Sequence, residues 1–256
     1  VVFSLLFLLA VKEPRRGATD ETLTQESHTL RQVIKLLYSS KTFVWLALAT
    51  GLHVFCIYGL LNWAPSFLSR VHAMKSAQLG AILGPVFGIG GAIGSFAGGA
   101  LTDHFGKTNR RLYLKIPAYA ITGSIFFTAG ALFLHDTTLS IICLGCCAAL
   151  QSTYLGPAIA VAHRLVPASM RAITSAVLFL VLNLVGLGFG PLVVGWLSDL
   201  LKPTLGTGSL RWAMSIVIPV GAASVILFFK TASYLDAPPS IVKQMPLTNE
   251  ASSEAR

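Results

Sequence analysis

The sequence predicts an all-α membrane protein organised as a six-helix bundle, and three observations carry the prediction. Charged residues make up only 11% of the chain and hydrophobic residues 54%, whereas a soluble domain carries roughly 25% charged residues. Six stretches contain no Asp, Glu, Lys or Arg, and each is close to or above the roughly 20 residues that span a bilayer core. These stretches are rich in Leu, Val, Ile, Phe and Ala without strand-like alternation. Helix is therefore the expected form, because it satisfies its own backbone in lipid.

The first element, residues 1–11, is an apolar run too short to span, and it reads as the tail of a truncated transmembrane helix. Residues 12–41 form a polar loop ending in LRQVIKLLY. That segment places Leu30, Val33, Ile34 and Leu37 on one face, as in an interfacial helix lying against the membrane. The bundle proper is expected over residues 42–231, and residues 232–256 have the composition of a disordered tail.

Orientation follows from the cations. Fifteen of the 19 Lys and Arg lie in alternate connections, at 12–41, 103–115, 164–171 and from Lys230 onward. By the positive-inside rule these connections face the cytoplasm. The net charge of +9 is spread in short patches between apolar runs, which argues against nucleic acid as a partner. The partners to expect are the lipid bilayer and a small-molecule substrate. The four cysteines sit in apolar runs without His or acid at ligand spacing, so neither metal nor other cofactor is expected. An intramembrane serine protease is disfavoured, because Ser95 sits in GAIGSFAG and lacks the required motif; no catalytic residues are assigned.

Glycines recur at 80, 84 and 88, then at 90, 94 and 98. Spacing of four gives a smooth helix face that lets another backbone approach. The run GLGFGPLVVG at 186–195 repeats the device. Pro65 and Pro219 are expected at kinks or helix ends.

The second full span ends in GALTDHFGKTNRR, residues 99–111. This string resembles the loop signature of the Major Facilitator Superfamily, G-x-L-x-D-R-x-G-R-K/R. The matching residues are Gly99, Leu101, Asp103, Gly106, Lys107, Arg110 and Arg111, with His104 where the family usually has Arg. In that family the signature joins helices two and three and returns between eight and nine. The resemblance implies that this chain is the second half of a twelve-helix fold, preceded by the tail of helix six and a central cytoplasmic loop. Its partner would be a missing N-terminal six-helix bundle. NWAPSFLSRVH (62–72) and the string from Val166 to Asp199, ending GFGPLVVGWLSD, are similar to spinster-type transporters.

The resemblance further implies a secondary transporter working by alternating access, in the plasma membrane (the inner membrane of a bacterium). Asp103 would latch against a helix N-terminus of the opposite bundle, Gly106 would permit a tight turn, and Lys107, Arg110 and Arg111 would hold the loop inside or pair with acids or anionic lipid. A reverse latch would fall on residues 167–171, with Pro167 and Ser169 at a helix start. Helices seven and ten would line the cavity, and helix eleven would lie at the bundle interface.

Polar side chains in the spans are the candidate substrate contacts. On the first span, Phe55, Tyr58 and Asn62 form one candidate face. His53 lies about 180° from Asn62 at about 100° per residue, so both cannot face a cavity squarely. The Phe55 face is favoured, with His53 as the alternative or as a packed core histidine. Gln151 and Tyr154 share a face and either line the cavity or pack between helices; Asn183 lies at similar depth. The spans hold no deep Asp or Glu, which leaves His53 as their one titratable candidate for proton coupling; the resemblance to spinster-type transporters implies that the coupling acid belongs to the missing bundle. The alternative to a transporter half is a non-transporting membrane binding or scaffold fragment.

Overall fold

A computed structural model describes residues 29–235. The expected truncated helix at 1–11, most of the 12–41 loop and nearly all of the C-terminal tail lie outside the described residues.

The described residues are helical, in ten α-helices: α1 Leu30–Ser39, α2 Lys41–Val71, α3 Ser76–Gly106, α4 Leu112–Phe133, α5 Thr137–Gln151, α6 Leu155–Arg164, α7 Arg171–Val181, α8 Gly190–Leu205, α9 Ser209–Met214 and α10 Val217–Ser233. Single 3-10 turns join α5 to α6 at Ser152–Tyr154, precede α7 at Ala168–Met170, and join α8 to α9 at Gly206–Gly208. Residues Leu182–Phe189 run as a π-helix between α7 and α8.

Among the described residues five stretches are long and apolar enough to cross a membrane, and the last, Ala168–Ser233, has 66 residues. A straight helix of that length would measure about 100 Å, far beyond one bilayer. It doubles back at Gly206, whose φ of +54° is a left-handed conformation that suits glycine. Across the turn, Ser198 Oγ and Ser209 Oγ stand 3.5 Å apart. The described residues therefore make six crossings: α2, α3, α4, α5–α6, α7–α8 and α9–α10. They alternate in direction. The ends of α3, α6 and α10 thus share one end of the bundle with the starts of α2, α4 and α7; we call it the motif end.

Local signals place the helix starts. Ser40 caps α2 by accepting the Phe43 N–H at 3.3 Å, and Asp136 caps α5 by accepting the Leu139 N–H at 2.8 Å. The π-helix has a local cause. Pro191 has no N–H to offer the carbonyl four residues earlier, and the wider register before it absorbs the defect. Pro65 lies inside α2, and Pro219 falls in the first turn of α10, where the missing N–H costs little.

Between helices the glue is close backbone approach and a few polar bonds. A Cβ at Gly90 would stand 2.9 Å from the Gly145 carbonyl oxygen, and one at Gly94 would fall onto the Ala149 backbone. Gly186 and Gly190 are held in the same way against Val54 and Phe55 of α2. Ser140 Oγ donates to the Ala131 carbonyl at 2.6 Å, and Ser224 Oγ to the Ala49 carbonyl at 2.9 Å. Trp63 Nε1 donates to the Pro191 carbonyl at 2.9 Å, with its ring over Gly195. Near the motif end, Lys230 Nζ sits 3.5 Å above the Trp45 ring. The cysteines are free and act as small apolar side chains: Cys56 and Cys147 are buried, and Cys147 Sγ lies 3.1 Å from Thr128 Oγ1.

One expectation is corrected here. The buried stripe of α1 faces the bundle, not lipid. Val33 and Leu37 are fully buried in the cluster that also holds Phe43, Leu46 and Leu178, while Leu30 stays 59% exposed. A stripe of two residues fits the groove beside α2 and α7, and Leu30 lies beyond it. The helix is fastened at its start by Gln32, whose side-chain oxygen accepts the Thr29 N–H at 2.9 Å.

Candidate functional site

Two regions were singled out by sequence: the GALTDHFGKTNRR segment and the polar residues of the spans. The first lies at the C-terminal end of α3 and the turn into α4. Asp103 is exposed on the last turns of α3, and its Oδ1 accepts the Tyr113 hydroxyl at 3.4 Å. The turn itself is built by Asn109, whose Oδ1 accepts the Arg111 N–H at 3.0 Å. Gly106 is buried, yet its role differs from the one expected. The positive φ of a tight turn is found only at Ala73 and Gly206 among the described residues. Gly106 is small because Tyr113 packs on it: a Cβ there would run into the phenol ring. The far face of that ring carries the Arg164 guanidinium, 4.2 Å from the centroid, a cation–π contact that ties α6 to α4.

Lys107 and Arg110 are exposed and Arg111 half-buried. Gly99 faces open space, with nothing within 4 Å of a built Cβ. The same holds for Gly80, Gly84 and Gly88. Helix α3 thus has two glycine runs with opposite fates: 90, 94 and 98 are closed onto α5 and the Ser152–Tyr154 turn, and 80, 84 and 88, in its first half, are open. Across the motif end, residues 167–171 do begin a helical segment, Ala168–Met170 running into α7.

The structure places the candidate cavity residues one by one. His53 is fully buried. Its Nε2 lies 2.8 Å from the Gln151 carbonyl oxygen, and its ring meets Tyr154 edge-on at 4.6 Å. It is a packed core histidine. Phe55 and Tyr154 are both 8% exposed. Phe55 packs with Cys56 and Val217, and its carbonyl lies against Gly190. A side chain already enclosed by this bundle cannot also line a cavity facing a second one. Tyr58 is half-buried and Asn62 is exposed, with the Asn62 amide donating to the Tyr58 carbonyl at 3.0 Å. Asn183 is also exposed and donates to Phe179 of its own helix at 2.8 Å. Gln151 is buried but borders a cavity of about 100 Å3 with Ser152, Phe87 and Leu61. Asn62, Asn183 and, in part, Tyr58 therefore remain at the surface of the bundle, while His53, Phe55 and Tyr154 are internal.

At the opposite end, His72 closes α2. Its Nδ1 lies 3.1 Å from Thr137 Oγ1, and its Nε2 has no partner among the described residues. Desolvation first, then the Arg211 charge, lower the His72 pKa below the ordinary 6.5, while Asp136 pulls the other way and His135 lowers it further. A lowered folded-state pKa means that the unfolded chain binds the proton more tightly. The contribution of His72 to stability is complete above the unfolded value near 6.5 and is lost as pH falls through the folded value. Melting measured at pH 5 and pH 7.5 is expected to show a larger acid-side loss for the native chain than for His72→Gln.

Comparison with known proteins places this geometry. Residues 1–187 match the family model of the Major Facilitator Superfamily. An MFS-type efflux pump of Mycolicibacterium smegmatis is 32% identical over 161 residues, covering 63% of this chain and 37% of that protein. Protein spinster homolog 3 of Danio rerio is 23% identical over 256 residues, covering 90% of this chain and 50% of that protein. The chain thus spans about half the length, or less, of the curated relatives it matches. Among solved structures, a bacterial homolog of the human lysosomal transporter Spinster, inward-facing and unoccupied, superposes with a TM-score of 0.74 at 21% identity. It covers 91% of this chain and 56% of that one. The same homolog in an occupied inward-facing state gives 0.57 at 23% identity. With its six apolar crossings, its signature segment at the end of α3 and its spinster-like fold, the chain is an integral membrane protein that belongs to the Major Facilitator Superfamily.

Proposed function

We propose that this chain is the C-terminal bundle of a secondary transporter that moves a small organic or amphiphilic, lipid-like solute by alternating access. The observation that carries the reading is the open side of α3. Asp103 stands exposed at its end, and Gly80, Gly84 and Gly88 along it meet nothing within 4 Å. A 31-residue helix with bare glycines along it and an exposed carboxylate near its tip is built to receive a second backbone. The occupant is an N-terminal six-helix bundle, consistent with relatives about twice the length of this chain.

In this reading the motif end faces the cytoplasm, as the cation bias favours, and the protein resides in the plasma or bacterial inner membrane. Asp103 meets a helix N-terminus of the other bundle when the cytoplasmic side is closed and releases it on opening. Asn62, Asn183 and Tyr58, at the surface of this bundle, are the solute contacts retained here. The deep spans carry no acid among the described residues, so proton coupling is assigned to the other bundle.

The test is uptake of lysophospholipids, sphingoid bases and organic anions into proteoliposomes holding the full-length protein, the 256-residue chain alone, or the full-length Asp103→Asn variant. A carboxylate at a helix N-terminus is worth about 0.3–2 kcal/mol, so the conformational ratio shifts about two- to thirtyfold on its loss. Uptake by the variant is expected to fall within that range, and the chain alone is expected to be inactive. Undiminished uptake by the variant would remove the latch; uptake by the chain alone would remove the two-bundle requirement.

A further inference from the structure

The motif end holds a second feature that the latch does not use. An open cavity of about 580 Å3 lies between the α3–α4 turn and the α6–α7 connection, bordered by Lys107, Arg110, Tyr113, His163, Arg164 and Arg171. Its size is within the range of small-molecule sites. Four of those six side chains are permanently cationic, and among the described residues no carboxylate borders the cavity. Asp103 is the sole acid at this end among the described residues, and it is engaged from the side by the Tyr113 hydroxyl. Four like charges around one space repel, and an anion between them reverses the sign of that energy.

We infer that this cavity is a binding site for a phosphate group, presented by a lipid headgroup or by a soluble phosphate. The geometry is suited to it. Arg164 is held over the Tyr113 ring, its guanidinium carbon 4.2 Å from the centroid. A guanidinium is a forked donor that matches two phosphate oxygens, and the aromatic ring holding Arg164 offers its N–H groups no oxygen acceptor on the ring face. The ring that holds Arg164 is seated by the bare backbone of Gly106. His163 is fixed by Ser175 Oγ at 2.6 Å from its Nε2. Lys107 and Arg110 approach from the α3–α4 turn and Arg171 from the start of α7, so the anion is enclosed by cations from three separate segments. Occupancy would cross-link the α3–α4 turn to the α6–α7 connection at the level where headgroups lie.

The inference is independent of the latch and of any solute. The test uses the full-length protein in phosphatidylcholine nanodiscs, titrated with phosphatidic acid, with oleate and with inorganic phosphate, reading bound ligand by native mass spectrometry and the melting temperature. Phosphatidic acid is expected to bind and to raise the melting temperature. Lys107→Gln, Arg110→Gln and Arg171→Gln, each removing one charge-assisted contact, are expected to weaken it about tenfold apiece. Lys35→Gln, a cation at the same end on α1 and outside the cavity, is expected to leave it unchanged. Competition by inorganic phosphate assigns the site to soluble phosphates, and its failure to compete assigns it to the headgroup. Binding of oleate as tight as that of phosphatidic acid, or a loss in Lys35→Gln equal to the loss in the cavity variants, overturns the proposal. Arg171→Lys, which keeps the charge without the fork, is expected to recover part of the binding and separates charge from misfolding.

Discussion

Gly94→Ala is expected to destabilise the bundle by about 3 kcal/mol, the upper end of the usual cost of overpacking. The added methyl would fall on the backbone of Ala149, with the carbonyl carbon 2.7 Å away and the oxygen nearer still. A flexible side chain could step aside, but a helix backbone can yield only if α5 moves as a whole. Gly90 and Gly98 repeat the contact one turn to either side, against Gly145 and Thr153, so a local shift of α5 at Gly94 loosens all three. Gly88→Ala is the control. Nothing lies within 4 Å of its built Cβ, and alanine is the better helix former by up to about 1 kcal/mol. Thermal unfolding of the two variants of this 256-residue chain in detergent should therefore give shifts of opposite sign. Equal losses at both sites would mean that the open face of α3 is already covered.

The second large effect is expected at His53. His53→Ala removes a fully buried imidazole, the 2.8 Å contact that joins α2 to the end of α5, and the edge-on contact with Tyr154. Lost packing and a lost buried bond together are expected to cost about 2–4 kcal/mol. Asn62→Ala, nine residues along the same helix, removes only an exposed amide bonded to its own helix and is expected to stay within about 0.5 kcal/mol. Solute uptake should show the reverse order of specific effect, with Asn62→Ala altering uptake at unchanged melting temperature. A His53→Ala protein that melts normally but has lost uptake would return His53 to the solute path.

The contrast between these two residues shows where sequence reasoning stops. Six crossings were legible because hydropathy and charge report contact with lipid directly. The polar residues within them were not, because the inside of one bundle and the cavity between two bundles both select for shelter from lipid. His53 and Asn62 satisfy that condition equally well, and only the helix neighbours tell them apart. The glycines were legible as a spacing but not as a closed run and an open one, since a period of four does not say which part of the helix meets a backbone. Gly106 was read as a turn residue, although its neighbour Tyr113 lies seven positions on and Arg164 another turn of the fold away; sequence carries no mark of that stack. The π-helix before Pro191 was likewise invisible as a register, although the proline that causes it was in plain view.

The contact between Lys230 and Trp45 has a consequence for connectivity. It brings the beginning of the first crossing and the end of the last one side by side, so the path of the bundle is close to a closed circle. The two ends can be joined by a short linker and fresh ends opened at the Gly206–Gly208 turn, where the backbone already reverses on the surface. The order of the helices along the gene is one of several that specify the same object.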